Sequence, residues 1–384
     1  MEAYFDNSAT TAVYPQVVEL TNKIFTKDYG NPSSLHMKGI EAERYLSDAK
    51  ERIAKILKCD KKEILFTSGA TESNNLSLIG SYLANKRNKN TLITTQIEHP
   101  SVSQVASFLE EMGVNVIRIP VDEKGIVDTD SLYDALSEDV FMVSVMGVNN
   151  ETGVVEPVGD IASEVKRRYP DIIFHSDYVQ GFSKYKLYPS RNNIDLLSAS
   201  AHKFHGPKGV GFLFIKDKTR IKPLILGGGQ QNNMRSGTDN VPGVAGMALA
   251  ASLSFENASV SNANIKKIKD IIKDGLLKMD GVCINSPDDE ICAPHILNVS
   301  FMGVRSEVML HALEEKGIYV SSGSACSSNK KEKSSTLKSM NLSMQRMDSA
   351  IRFSFSENNT IEQALYLLEI IEPLYNQLKK FVRS

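Results

Sequence analysis

The stretch "SSGSACSSNKKEK", residues 321–333, sets Cys326 among glycine, alanine and serine, with lysines directly after it. Structural cysteines usually sit among large apolar side chains, so this one raises the question of what a free thiol does on a loop with few packing anchors. Nearby positive charge lowers a thiol's pKa from about 8.5 and favours the thiolate, which is the nucleophile. Lys330, Lys331 and Lys333 could supply part of that field, although screened surface lysines suit a solvated or partner-facing role at least as well.

Three other stretches carry chemistry. In "FTSGATESNN" a small loop follows a strand and a helix begins near Thr71. Glycine and the free N–H groups of a helix start can receive an anion, although a plain capped turn fits the spacing equally and no Walker or GxGxxG pattern is present. In "FHSDYVQG" a strand closes on His175, Asp177 and Gln180. A carboxylate there could hold a cation or a protonated ring nitrogen, or merely cap a helix. In "SASAHKFHGPKGVGFLFI" Lys203 stands between His202 and His205, before a Gly–Pro turn. A partly desolvated lysine can attack a carbonyl and form a Schiff base; a solvated turn lysine does nothing. The histidine pair lacks a third ligand candidate, so no metal is expected. Taken together, a phosphate cradle, an acid for a ring nitrogen and a Schiff-base lysine are what pyridoxal 5'-phosphate requires of a protein.

The elements that must position these groups follow from periodicity. Between about residues 60 and 225 the strand candidates "EILFTS", "TLITT", "NVIRIPV", "VFMVSVM", "IIFHSD" and "GFLFI" alternate with amphipathic stretches such as "TESNNLSLIGSYLANK", "PSVSQVASFLEEMG" and "VGDIASEVKRRY". That alternation predicts an α/β fold with a mostly parallel central sheet covered by helices, and ligands at the carboxyl ends of its strands. "SFENASVSNAN" reads as a polar crossing segment into a smaller α+β unit with strands "HILNVSF" and "IRFSF" and a terminal helix from about Ile361. The predicted domains are a large one over 15–255 and a small one over 1–14 and 256–384 that carries the Cys326 loop.

The bulk numbers restrict the rest. The chain has 384 residues, 41% hydrophobic and 23% charged, with a net charge of -2, which gives no electrostatic case for nucleic acid or a membrane surface. The start "MEAYFDNSATT" is not a signal peptide, and no apolar run would span a bilayer. Cys59, Cys283, Cys292 and Cys326 form no CxxC pair, so a reducing, cytoplasmic setting is expected, with the first three as packed thiols.

From "YFDNSATT" to "AIRFSFS" the sequence resembles the cysteine desulfurases of the NifS/IscS type, in the class V branch of the fold-type I pyridoxal-phosphate enzymes. The stretches "YGNPSSLH", "FTSGATESNN", "EHPSV", "VNNETG", "SAHKFHGPKGVG", "GGGQ", "RSGTDN" and "SSGSACSS" carry the resemblance in order. It implies Lys203 as the Schiff-base lysine, Asp177 paired with the ring nitrogen, Gln180 on the phenolic oxygen and His99 stacked on the cofactor, handling protons. It implies Ala70, Thr71, Ser200 and His202 as the phosphate cradle, Thr238 lent by the other subunit of a homodimer, and Arg352 with Asn150 as the substrate-carboxylate site.

Cys326 becomes the nucleophile that takes sulfur from L-cysteine as a persulfide, leaving L-alanine, for delivery to an iron–sulfur scaffold or a tRNA thiouridylase. Selenocysteine cleavage, another class V aminotransferase or lyase activity, and a degenerate scaffold protein are the rival readings. Tyr178 and Gln231 depart from the family's usual residues, which predicts altered crowding at the cofactor and an altered subunit contact. Val179 is the residue expected beneath the ring.

Overall fold

The computed structural model describes residues 1–322 and 334–382. A seven-stranded sheet runs in the order Ile64–Thr67, Gly211–Ile215, Leu196–Ser200, Ile173–Asp177, Val140–Ser144, Thr91–Thr95, Asn115–Ile119. Gly211–Ile215 is antiparallel to both neighbours, and the remaining pairings are parallel. Thr91–Thr95, Val140–Ser144, Ile173–Asp177 and Leu196–Ser200 are buried along their whole length. Helices on both faces of a parallel sheet require this, which is why these strands read as continuous apolar runs rather than as alternation.

Helix Pro100–Glu111 shows how the covering helices form. Pro100 takes the first helical position, His99 caps the end with its ring, and Val102, Val105, Ala106 and Leu109 make a buried stripe at helical spacing. The helix expected near Thr71 begins at Ala70, passes through a wider π turn over Leu76–Gly80 and resumes as Ser81–Asn85.

Leu196–Ser200, absent from the strand candidates, is a buried central strand. The segment expected to cross between the two units is helical: Val241–Glu256 and Ala258–Leu276 are separated only by Asn257. Its polar residues lie largely on solvent-exposed helix surface.

A second sheet, Ser321–Ser322, Ala350–Ser354, Ile296–Phe301, Val282–Ile284, is antiparallel throughout. Its core gathers Ile265, Ile272, Val299, Phe353 and Ile371, and also Ala3 and Phe5 from the chain start. Ala3–Tyr4 pairs in parallel with Ile318–Tyr319, which ties the first residues to this second core. Among the described residues, no helix is long and apolar enough to cross a membrane.

Candidate functional site

The parallel strands deliver their last residues to one place. Asp177 ends its strand, Ser200 ends the next, and a single tight turn, Ala201–Lys203, follows. The strand ending at Thr67 leads to Gly69, whose φ of 151° is a conformation that side chains rarely adopt, and then to the helix start at Ala70. Across from these lie Asn150 and, from the second sheet, Arg352. A cavity of about 470 Å³ opens between them, a size suited to a small ligand. Lys203, His99, Asp177, Gln180, Ala70, Thr71, Ser200, His202, Asn150 and Arg352 all line it. Val179 lines it too.

Two expected participants are elsewhere. Thr238 is exposed, away from this cavity. Cys326, with Lys330, Lys331 and Lys333, lies outside the described residues. The chain on either side of that segment is well anchored. Ser321 and Ser322 pair with Arg352 and Ile351, and Asn149 Nδ2 donates to Thr336 Oγ1 at 3.2 Å.

Lys203 Nζ donates to the backbone oxygens of Ser8 at 2.5 Å and Ala9 at 2.9 Å. Gln180 Nε2 also donates to Ser8 O, at 3.0 Å. Arg352 donates from Nη1 to Asn150 O and from Nη2 to Asp6 Oδ1, each at 2.9 Å. Asp177 is 5% exposed. Its carboxylate accepts from Asn74 Nδ2 at 2.8 Å and Val179 N at 3.1 Å. Both donors are neutral, so the anion is well placed to receive a protonated ring nitrogen. Burial holds the His99 pKa below its ordinary value, with Asp177 opposing and Lys203 adding to the depression. Burial, then Lys203 and Lys208, push His202 down to about 4, so its ring is neutral at pH 7. Next to His99, burial and then Asp177 push Glu98 up to about 8.

Other singled-out residues sit outside the chemistry. His175 is a core side chain, 2.8 Å from Ser144 Oγ and 3.2 Å from Ser198 Oγ, and burial pushes its pKa to about 3. His205 turns away from the cavity and stacks on Tyr14, with ring centroids 4.5 Å apart. No group of residues suited to a metal occurs among the described residues. Tyr178 is not among the residues that line this cavity. Its ring lies in the core between Gly147 and Gly181, where an added Cβ would come within 2.2 Å and 2.6 Å of it. Gln231 donates to Asp239 Oδ1 at 2.6 Å within its own chain.

Sequence reading missed Asn74, Ser101, Asp6 and the Ser8 and Ala9 carbonyls. Asn74 stands inside a quoted motif, and a polar residue on the buried side of a short helix was the available signal.

Comparison with known proteins places the architecture. The aminotransferase class-V family profile matches residues 3–367. A NifS/IcsS protein homolog of Lactobacillus delbrueckii subsp. bulgaricus is 40% identical over 380 residues, covering 98% of each chain. A cysteine desulfurase IscS of Clostridium botulinum is 38% identical over 381 residues, covering 99% of this chain and 96% of its own. A solved NifS-like protein superposes with a TM-score of 0.94 at 38% identity, covering 98% of this chain and 100% of that one. SspA, solved in complex with cysteine, superposes with a TM-score of 0.81 at 32% identity, covering 93% and 100%.

Proposed function

The chain belongs to the class-V aminotransferase family and, within it, to the cysteine desulfurases of the NifS/IscS kind, and from that premise we propose that it converts L-cysteine to L-alanine and takes the sulfur onto Cys326 as a persulfide. The observation that carries this reading is the convergence of Lys203, Asp177, His99 and Arg352 on one cavity.

The residues present fit pyridoxal 5'-phosphate. Lys203 would hold it covalently, Asp177 would face its ring nitrogen and Gln180 its phenolic oxygen. Ala70, Thr71, Ser200 and His202 would hold its phosphate, with Thr238 completing the partner's site in a homodimer. Bound there, the cofactor supplies an electron sink for the carbon that carries the substrate's carboxylate.

The chain's own groups do the remainder. Arg352 and Asn150 bind that carboxylate, and the planar guanidinium sets its orientation. The Lys203 amine takes the proton from the same carbon. His99, neutral at pH 7, exchanges protons with the substrate from Nε2, because Nδ1 is engaged by Ser101. The Cys326 thiolate attacks the substrate sulfur. An S–S bond forms, the C–S bond breaks with its electron pair left on Cβ, and protonation of Cβ together with return of a proton to the carbon from which Lys203 took it completes alanine. Delivery to an iron–sulfur scaffold or a tRNA thiouridylase follows, in the cytoplasm. We assign the large domain to 15–255 and the small, Cys326-bearing domain to 1–14 and 256–384.

A single turnover with L-cysteine and no reductant tests this. Wild type should release one alanine per site and gain one sulfur by intact mass, and Cys326→Ala should do neither. Alanine or pyruvate released equally by both proteins would sink the role of Cys326 and favour a general class V lyase or aminotransferase. Turnover of selenocysteine alone would favour the selenocysteine reading.

A further inference from the structure

Asn74 lies behind the cavity wall on the short helix Ala70–Asn75 and is fully buried. Its amide nitrogen donates twice, to Ser101 Oγ at 2.8 Å and to Asp177 Oδ2 at 2.8 Å. The amide orientation is fixed by chemistry, because the opposite flip would set a carbonyl oxygen against a carboxylate. With an Asn74 hydrogen already pointing at it, Ser101 Oγ is left to donate its own hydrogen. Its near neighbour is His99 Nδ1 at 2.8 Å, which also accepts from Ser101 N at 3.1 Å. Two hydrogens therefore point at Nδ1, and the ring proton belongs on Nε2.

Asn74 Oδ1, equally buried, has no partner among the described residues. A buried orphan acceptor is unfavourable, so a purely structural role would be better served by an apolar side chain. This asparagine is worth its cost only for its nitrogen.

We propose that Asn74 is a positioning residue: through Ser101 it keeps the His99 ring neutral with its proton on Nε2, and with the same amide it fixes the carboxylate of Asp177. The inference rests on the roles given above to His99 and Asp177, and it joins the group that would stack on the cofactor ring to the group that would face its nitrogen. To protonate Nδ1, the Ser101 hydroxyl would have to turn around and the Ser101 N–H would have to give way. Charged groups also face His99 from other elements, namely Asp177 and Lys203. Glu72, Lys208 and Arg352 line the same cavity.

The test is histidine titration by 15N NMR on the full chain, cofactor-free and cofactor-loaded, with His99 assigned by the signals lost in His99→Gln. Wild type should show an unprotonated Nδ1 through neutral pH. Asn74→Leu and Ser101→Ala should each raise the His99 midpoint, by on the order of half to one pH unit for one lost hydrogen bond. Ser101→Thr, which keeps the hydroxyl, should restore it. In the loaded protein, the pH dependence of the cofactor's visible absorbance should move in Asn74→Leu, which touches Asp177, and stay put in Ser101→Ala.

An unchanged His99 midpoint in a folded Asn74→Leu overturns the inference. Should that variant not fold, an unchanged midpoint in Ser101→Ala overturns it equally. A chain that takes up no cofactor would defeat the functional reading instead, and the cofactor-free titration would still decide this one.

Discussion

Arg352 donates to Asp6 Oδ1 at 2.9 Å, so the cation assigned to the substrate carboxylate already holds a counter-ion. Arg352 is 5% exposed, and burying it without a partner would be costly. On the role proposed for Arg352, Asp6 positions the guanidinium and competes with the substrate carboxylate for it. Arg352→Lys loses the planar fork, and a charged hydrogen bond worth about 1.5–3 kcal/mol should cost roughly ten- to a hundredfold in kcat/KM. Asp6→Asn keeps an acceptor but removes the charge, so KM for L-cysteine should fall. Steady-state kinetics with inhibition by unreactive amino acids checks both, and a higher KM in Asp6→Asn would contradict the competition.

Glu98 gives a pH dependence whose sign can be worked out. Thr95 Oγ1 and Met146 N both donate to its Oε1, at 3.0 and 2.8 Å, and burial lifts its pKa to about 8. The folded state therefore holds a proton that the unfolded chain, with an ordinary pKa near 4.3, releases first. Its contribution is fully present below the unfolded pKa and is lost as pH rises toward 8, at a limit of about 1.4 kcal/mol per pH unit. Glu156, lifted to about 8 by burial, adds in the same direction. Glu98→Gln, a mimic of the protonated acid, should flatten the fall in stability between pH 5 and 8. Denaturant unfolding across that range measures it, and an identical slope in wild type and variant would refute a protonated Glu98.

Exposure of Thr238 outside the cavity suits a residue that serves another subunit. Lys203→Ala and Thr238→Ala chains, each weakly active or inactive alone, should regain one working site per heterodimer when mixed and allowed to exchange subunits. One kind of site then receives both intact residues. A mixture no more active than its components would place Thr238 outside the site, and a fully active monomer by light scattering would remove the homodimer.

Gly147 is required by Tyr178. A Cβ at position 147 would come within 2.2 Å of the Tyr178 ring, which is 6% exposed. Gly147→Ala should destabilise by about 1–3 kcal/mol, as overpacking does, and Tyr178→Leu in the same chain should recover part of it. Thermal melts decide, and a Gly147→Ala variant as stable as wild type would mean that the ring moves freely.

The sequence made the site more legible than some of its scaffold. Thr91–Thr95 and Gly211–Ile215 were readable because β-branched and aromatic runs suit buried strands. Leu196–Ser200 hid because "LLSAS" ends in small residues of low strand propensity. Lys203 and Asp177 could be proposed from residue type near a strand end, and His99 only from the family resemblance. Asn74 and Asp6 could not, because their contacts to Ser101, Asp177 and Arg352 span 27, 103 and 346 positions and leave no local pattern. Tyr178 packs against Gly147 and Gly181, a placement that its position after Asp177 does not reveal.

The chain start also sets an order of assembly in time. Ser8 and Ala9 face Lys203, Asp6 faces Arg352, and Ala3 pairs with Ile318. Asp6 and Arg352 are separated by 346 positions, which at roughly 5–20 residues per second is on the order of tens of seconds of synthesis. Until position 352 is made Asp6 has no guanidinium to meet, and until Ile318–Tyr319 is made Ala3–Tyr4 has no partner strand, whereas Ser8 and Ala9 can meet Lys203 earlier. Arg352, which lines the cavity and pairs with Asp6, is therefore made well after the strands that carry Asp177 and Ser200, so the wall it shares with them is completed late in synthesis.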